Sequence, residues 1–260
     1  MVFGNKVTNV YLNASLHVAL AVGCLTLITY MQNDILLSQG YVGLMFTGTL
    51  VVYNGLKYGK IWWYQIPISF QHRFTYRITI LAIFFFLMAF LRMPIAIQKS
   101  LVTGFCLVIL YPWVRKLGWL KLFWVSGTIM YFTVVVPLLS CKQPLNILVL
   151  EGFLRFVLLS ALMIPFEIYD SVHDPPQLGT LPQRFGVSWT KRFGYFLVVV
   201  YWGLVCSNHG AQEVLTSGSI ALLIMGAIYK TQPHQSKSFT AFWVEALPMV
   251  WAVMVYGFGR

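Results

Sequence analysis

Nine long apolar runs follow one another along this chain, separated by short polar loops. The runs lie near residues 10–31, 41–56, 74–91, 101–114, 122–139, 145–166, 194–206, 214–229 and 239–258. A helix crosses the hydrocarbon with about 20 mostly apolar residues and satisfies its own backbone hydrogen bonds there. Continuous runs, not alternating ones, argue for helices and against a membrane β-barrel. Composition agrees: 58% of residues are hydrophobic and 10% charged, against roughly a quarter charged in a soluble domain. So few charges cannot cover a soluble surface, and lipid must cover much of this one. The expected fold is an all-α polytopic transmembrane bundle of about nine spans. No run reads as a linker, so residues 1–260 are expected to form a single domain. The fourth and seventh runs are short and are expected to extend into their flanks. The first lacks a basic leading segment and a small-residue cleavage site, and reads as a retained helix rather than a signal peptide.

The net charge of +11 raises nucleic acid as a partner, and the placement of the charges removes it. They sit in loops between apolar runs. One face receives Lys6, then Lys57, Lys60, Arg73 and Arg77, then Arg115, Lys116 and Lys121, then Arg184, Lys191 and Arg192, then Lys230 and Lys237, thirteen in all. The other face receives four: Arg92, Lys99, Lys142 and Arg260. The positive-inside rule puts the richer face, and the N-terminus, in the cytoplasm. Nine spans put the C-terminus on the opposite side. A bacterial inner membrane is the expected location. The two longest connections, 57–73 and 167–192, both fall on the richer face, so chemistry is expected there. The four cysteines, Cys24, Cys106, Cys141 and Cys206, are far apart and form no metal-ligand spacing. They read as small membrane-core residues.

Only seven acidic residues exist, and three of them, Glu167, Asp170 and Asp174, fall at i, i+3 and i+7 at the end of the sixth run. That spacing is one stripe of a helix. Like charges so close call for a cation, and a divalent ion such as Mg²⁺ suits oxygen ligands and bridges carboxylates to phosphates. An ordinary acidic helix end paired with Arg or Lys would look the same. Following the stripe is Pro175-Pro176-Gln177-Leu178-Gly179-Thr180-Leu181-Pro182-Gln183-Arg184-Phe185-Gly186.

Stripe and tail together resemble the second signature of the UbiA superfamily of intramembrane prenyltransferases, DxxDxxxD followed by a Thr-Leu-Pro-x-Arg-x-Gly-like segment. Glu167, Asp170 and Asp174 match the acids, with Glu for the first Asp; Thr180, Leu181, Pro182, Arg184 and Gly186 match the tail. The turn between them is one residue short. A looser match is Leu110-Tyr111-Pro112-Trp113-Val114-Arg115-Lys116 with Trp119-Leu120-Lys121, similar to the family's Tyr-Pro…Lys-Arg loop. The resemblance covers nearly the whole chain. It implies a nine-helix bundle around a cavity that holds a polyprenyl diphosphate, with Mg²⁺ on two acidic motifs. The prenyl group then passes to an acceptor at a cytoplasm-facing site. An apolar slot for the tail, cations for the diphosphate and exclusion of water for the carbocation make that chemistry coherent.

The family's first motif, NDxxDxxxD, is not reproduced. Asn54 matches its leading Asn, but Gly55, Tyr58 and Trp62 stand where the acids belong, with Lys57 and Lys60 between them. That loop cannot hold Mg²⁺ in the family's manner. Lysines can neutralise phosphate as point charges, so Asn54, Lys57, Lys60, Arg73 and Arg184 are the diphosphate-binding candidates, and Glu167, Asp170 and Asp174 the metal candidates. Glu151 and Arg155, at i, i+4 inside the sixth run, are expected to pair. Two functions remain: a prenyltransferase with an atypical first motif, and an inactive UbiA-like lipid-binding subunit of a membrane protein complex. No inverted repeat and few charges within the runs count against a transporter. The topology is testable on its own: reporter fusions after Lys57 and after Arg184 are expected on the same side of the membrane, and opposite sides would refute the nine-span reading.

Overall fold

The computed structural model describes the backbone of residues 6–63 and 70–258 and the side chains of residues 10–59 and 73–258. All regular elements among the described residues are helical. They are α1 (Lys6–Asn13), α2 (Leu16–Gln32), α3 (Gln39–Trp63), α4 (Phe70–Arg92) and α5 (Ile95–Val114). Next, α6 (Leu120–Met130) runs through a π-helical turn (Tyr131–Val135) into α7 (Val136–Ser140), and α8 (Leu145–Asp170) follows. The short α9 (Leu181–Phe185) precedes α10 (Val187–Asn208) and α11 (Ala211–Lys230), and a second π-helical turn (Phe239–Val244) leads into α12 (Leu247–Phe258). Joined across their π turns and across the α1–α2 break, and with the five-residue α9 set aside, these give nine rods among the described residues. Six rods are long and apolar enough to cross a membrane, and α2 is a shorter apolar helix. α3 and α10 reach crossing length at 25 and 22 residues. The fourth and seventh runs lengthen as expected, to the 20 residues of α5 and the 22 of α10.

Proline sets the starts of α5 and α8. Pro94 and Pro144 precede them, where a missing N–H breaks no helical hydrogen bond. α8 is the central post. It packs against α6, α10 and α11, while α12 packs on both α11 and α2, so that the last rod closes against the first. In α8, 56% of the apolar window is buried, against 11% in α5 and 17% in α4, so α4 and α5 are the rods that turn most of their surface to lipid. Leu158, Leu159, Ile164 and Ile168 of α8 meet Ile220, Ile224 and Ile228 of α11 in the main core.

Arg155 is buried in this core, and it does not pair with Glu151. Its guanidinium donates to the Leu25 carbonyl at 2.8 Å and to Thr29 Oγ1 at 3.3 Å, and lies 4.9 Å over the Trp251 ring. It thereby ties α8 to α2 and α12. Glu151 instead sits 3.3 Å from His209 Nε2, and His209 Nδ1 contacts Glu213. The bond to Glu213 raises the His209 pKa against the opposing effect of burial, and Glu151 adds to the rise. The three side chains clasp α8, α10 and α11 at the end of the bundle away from the acidic stripe.

The first run is not one continuous helix. Ser15 has a φ of +58° and divides α1 from α2, because the chain turns where backbone groups lose their helical partners. Hydrocarbon offers no water to replace them. Side chains from α3 do so: Tyr58 Oη donates to the Asn13 carbonyl at 3.0 Å and Asn54 Nδ2 to the Ala14 carbonyl at 3.2 Å. Lys57 Nζ donates to Ser15 Oγ at 3.0 Å.

At the same end of the bundle two loops interlock. Gly118 has a φ of +62°, and a Cβ there would lie 2.0 Å from the Leu178 carbonyl oxygen. Gly118→Ala combines a left-handed strain with a backbone collision and is expected to cost about 2 kcal/mol or more. Gly203→Ala in α10, with open space around its Cβ position, is expected to be neutral or stabilising by under about 1 kcal/mol. Thermal unfolding of both variants in the same detergent checks the contrast.

Candidate functional site

The stripe residues come together as their spacing requires. Glu167 and Asp170 stand on the last turn of α8. Backbone bonds from Ser171 to the Glu167 carbonyl and from Asp174 to the Asp170 carbonyl carry the helical turn onward, so Asp174 stays on the same face. Gln183 holds the tail against it. Its Oε1 accepts the Thr180 N–H at 3.1 Å, and its Nε2 donates to the Ser171 and Asp174 carbonyls at 3.1 and 3.2 Å. Tail and stripe are thus one folded unit, which accounts for the motif's fixed order in the sequence.

A lysine occupies the centre of the stripe. Lys121 Nζ lies 3.2 Å from Glu167 Oε1, 3.5 Å from Asp170 Oδ2 and 2.9 Å from Asp174 Oδ2. The Arg115 guanidinium reaches the other oxygen of Asp174 at 3.2 Å. The Lys121, Glu167 and Asp174 side chains are buried, while that of Asp170 is 41% exposed, which leaves Asp170 the carboxylate open to an approaching group. Burial works against a charged Asp174, but the bonds from Lys121 and Arg115 hold its carboxyl below the usual aspartate value. Among the described residues no group of three or more His, Cys, Asp or Glu side chains is placed to hold a metal ion. As arranged, the stripe holds an ammonium among its own oxygens and does not fit the octahedral oxygen shell of Mg²⁺.

The stripe opens into a chamber of about 190 Å³ between α2, α3, α5, α6, α8 and α12. Its polar lining is Tyr53, Tyr111, Lys121, Glu167, Asp170 and Glu245, and its floor includes Leu25, Ile129, Leu159 and Met163. A second chamber of about 260 Å³ is almost wholly apolar, with Met45, Gly48, Phe86, Phe105, Val108 and Phe132 in its wall. Val22, Tyr53 and Ile129 line both. The two spaces adjoin at those three side chains, a polar chamber beside an apolar one.

The diphosphate candidates are placed elsewhere. Asn54 is fully buried and is bonded to the Ala14 carbonyl and to Thr79 Oγ1. Lys57 is engaged with Ser15 at the α1–α2 break. Arg73 is exposed. Arg184 is exposed and packs over Gly179, where a Cβ would come within 2.7 Å of its Nε. None of these four lines the polar chamber. The Lys60 side chain lies outside the described residues. His173 turns from the slot and stacks on Tyr169 at 4.6 Å. The sequence reading missed Lys121, Arg115, Tyr53, Tyr111 and Glu245 as site residues. Lys121, Arg115 and Tyr111 carried a signal, the Tyr-Pro…Lys segment. Glu245 carried only its rarity as an acid inside an apolar run.

The depressed Asp174 pKa stabilises the fold at every pH above aspartate's ordinary value of 3.8, and this contribution is lost as pH falls through the lower folded value. Asp174→Asn is therefore expected to lower the unfolding temperature at pH 6 and to flatten its dependence on pH below 4. An unchanged acid limb would show that the Lys121 and Arg115 contacts carry no stability.

No family model matches the chain, and no curated protein matches it. Solved structures do resemble it. One is the apo structure of a UbiA homolog from Aeropyrum pernix K1, with a TM-score of 0.63 at 11% identity over 93% of this chain and 96% of that one. Another is described by its work on digeranylgeranylglyceryl phosphate synthase in membranes, with a TM-score of 0.56 at 13% identity over 98% and 97% of the two chains. At such identities the likeness is one of fold: this is an integral, multi-pass membrane protein with the UbiA-type bundle.

Proposed function

We propose that this UbiA-type bundle holds an isoprenoid lipid in its paired chambers, chain in the apolar space and head at the polar end, and that it does so as a lipid-binding subunit rather than as a metal-dependent prenyltransferase. The observation that carries the reading is the pair of adjoining chambers, one apolar and the other lined by Tyr53, Tyr111, Lys121, Glu167, Asp170 and Glu245. Apolar sites with a few convergent polar groups are the usual form of a lipid or cofactor pocket. The occupant of the stripe decides between the two forms of the idea. Lys121 already occupies the centre of Glu167, Asp170 and Asp174, and Gly55, Tyr58 and Trp62 stand where the first motif's acids belong. A neutral head that exchanges hydrogen bonds with the tyrosines and the exposed Asp170 needs no metal. The lipid-facing surfaces of α4 and α5 are available for membrane protein partners.

The transferase reading is favoured by the intact Glu167, Asp170, Asp174 and Thr180–Gly186 signature and by the fold shared with a prenyl-lipid synthase. It requires that Lys121 leave the stripe to a divalent ion and that Lys57, Lys60, Arg73 or Arg184 turn toward a diphosphate. In both readings the head faces the side that the charge bias assigns to the cytoplasm.

Lipid mass spectrometry of the protein purified in nanodiscs is expected to find a co-purifying isoprenoid. Val52→Trp, which fills the apolar chamber, is expected to reduce it roughly tenfold, a loss of about 1.4 kcal/mol in binding. Incubation with a labelled prenyl diphosphate, Mg²⁺ and a membrane extract is expected to release no diphosphate. Mg²⁺-dependent release that disappears in Asp170→Asn would establish the transferase reading instead.

A further inference from the structure

The sequence pattern at the end of α8 asks for a cation, and the fold supplies one covalently. Lys121 brings a three-donor ammonium to three carboxylate oxygens at 2.9 to 3.5 Å, with its side chain 8% exposed. An ammonium can donate one hydrogen bond to each. A Mg²⁺ at the same point needs six oxygens at about 2.0–2.1 Å, and it would stand against the lysine charge.

The lysine is held there by the fold. It lies in the first turn of α6, directly after the Gly118 turn, whose backbone is pressed against the Leu178 and Gly179 carbonyls with no space for a Cβ. Arg115, on the other side of that turn, fastens to the second oxygen of Asp174. The Gly118 turn and the Arg115–Asp174 pair fasten the loop before α6 to the strap after α8, which places Lys121 beside the stripe. At the first motif's acidic positions α3 offers no carboxylate: Gly55 has no side chain, and Tyr58 is bonded to the Asn13 carbonyl.

We propose that Lys121 is the resident cation of the acidic stripe and that the native protein takes no divalent metal there. The proposal deepens, and rests on, the reading of the slot as a lipid site that works without diphosphate chemistry.

Mn²⁺ alone is the probe, followed by electron paramagnetic resonance on the full chain in nanodiscs, with unfolding temperature in EDTA and in Mg²⁺ as a second readout. The wild type is expected to show no saturable Mn²⁺ binding and no Mg²⁺-dependent shift. Lys121→Arg, which keeps the charge, is expected to bind no Mn²⁺ and to unfold in EDTA close to wild type. Lys121→Met, which leaves the three carboxylates without their cation, is expected to unfold at a clearly lower temperature, and an unchanged Lys121→Met overturns the proposal. Saturable Mn²⁺ binding by the wild type that Asp170→Asn abolishes overturns it too. The lipid content of the wild type is read separately: no co-purifying isoprenoid with the expected Mn²⁺ results sinks the lipid-site reading and leaves the lysine as resident cation.

Discussion

A carbonyl or a charge in hydrocarbon has no water to turn to, and this bundle is organised around the places where its chain strains that rule. At the Ala14–Ser15 break the α1–α2 backbone is repaired by Tyr58, Asn54 and Lys57 from α3. In the core, Arg155 spends its donors on the Leu25 carbonyl and Thr29 and lays its plane over Trp251. At the end of α8, three carboxylates gather around Lys121. Each repair links rods distant in sequence, so the polar exceptions also fix which rods are neighbours. Apolar packing alone fixes neighbours poorly in a membrane, because lipid tails are as apolar as leucine.

The same repairs shape the slot. Asn54 and Lys57, committed to the broken first rod, stand behind its wall, and their neighbour Tyr53 lines both chambers. The stripe forms the polar end because the Thr180–Gly186 tail, stapled by Gln183 to the end of α8, holds Asp174 on the α8 face. The stripe is here closed on an internal cation, Lys121. Desolvation offsets much of the attraction in such a buried cluster, so in the proposed lipid site its role is to set which head groups are accepted.

The sequence reading and the structure diverge in an instructive way at Glu151 and Arg155. Spacing on one helix suggested that they pair, and a helix surface does bring i and i+4 together. The guanidinium instead found carbonyl and hydroxyl acceptors on α2, and Glu151 found His209, whose partner Glu213 begins α11. Local spacing sees neighbours on one rod and is blind to the rods packed against it. The same blindness hid Lys121, which is 46 residues from Glu167 by number and 3.2 Å away in space.

By itself the sequence determined that this chain is a helical membrane bundle of about nine rods, because hydrocarbon admits only long apolar segments that satisfy their own backbone. It also determined that Glu167, Asp170 and Asp174 share a face, because the helical repeat requires it. Only the tertiary structure decided what those carboxylates hold, where the first rod breaks, and that Asn54 and Lys57 serve the backbone at that break. These outcomes depend on contacts across 40 to 59 residues of chain. No local period records such contacts, and a cation in a loop reads the same whether it faces water, phosphate or a buried acid.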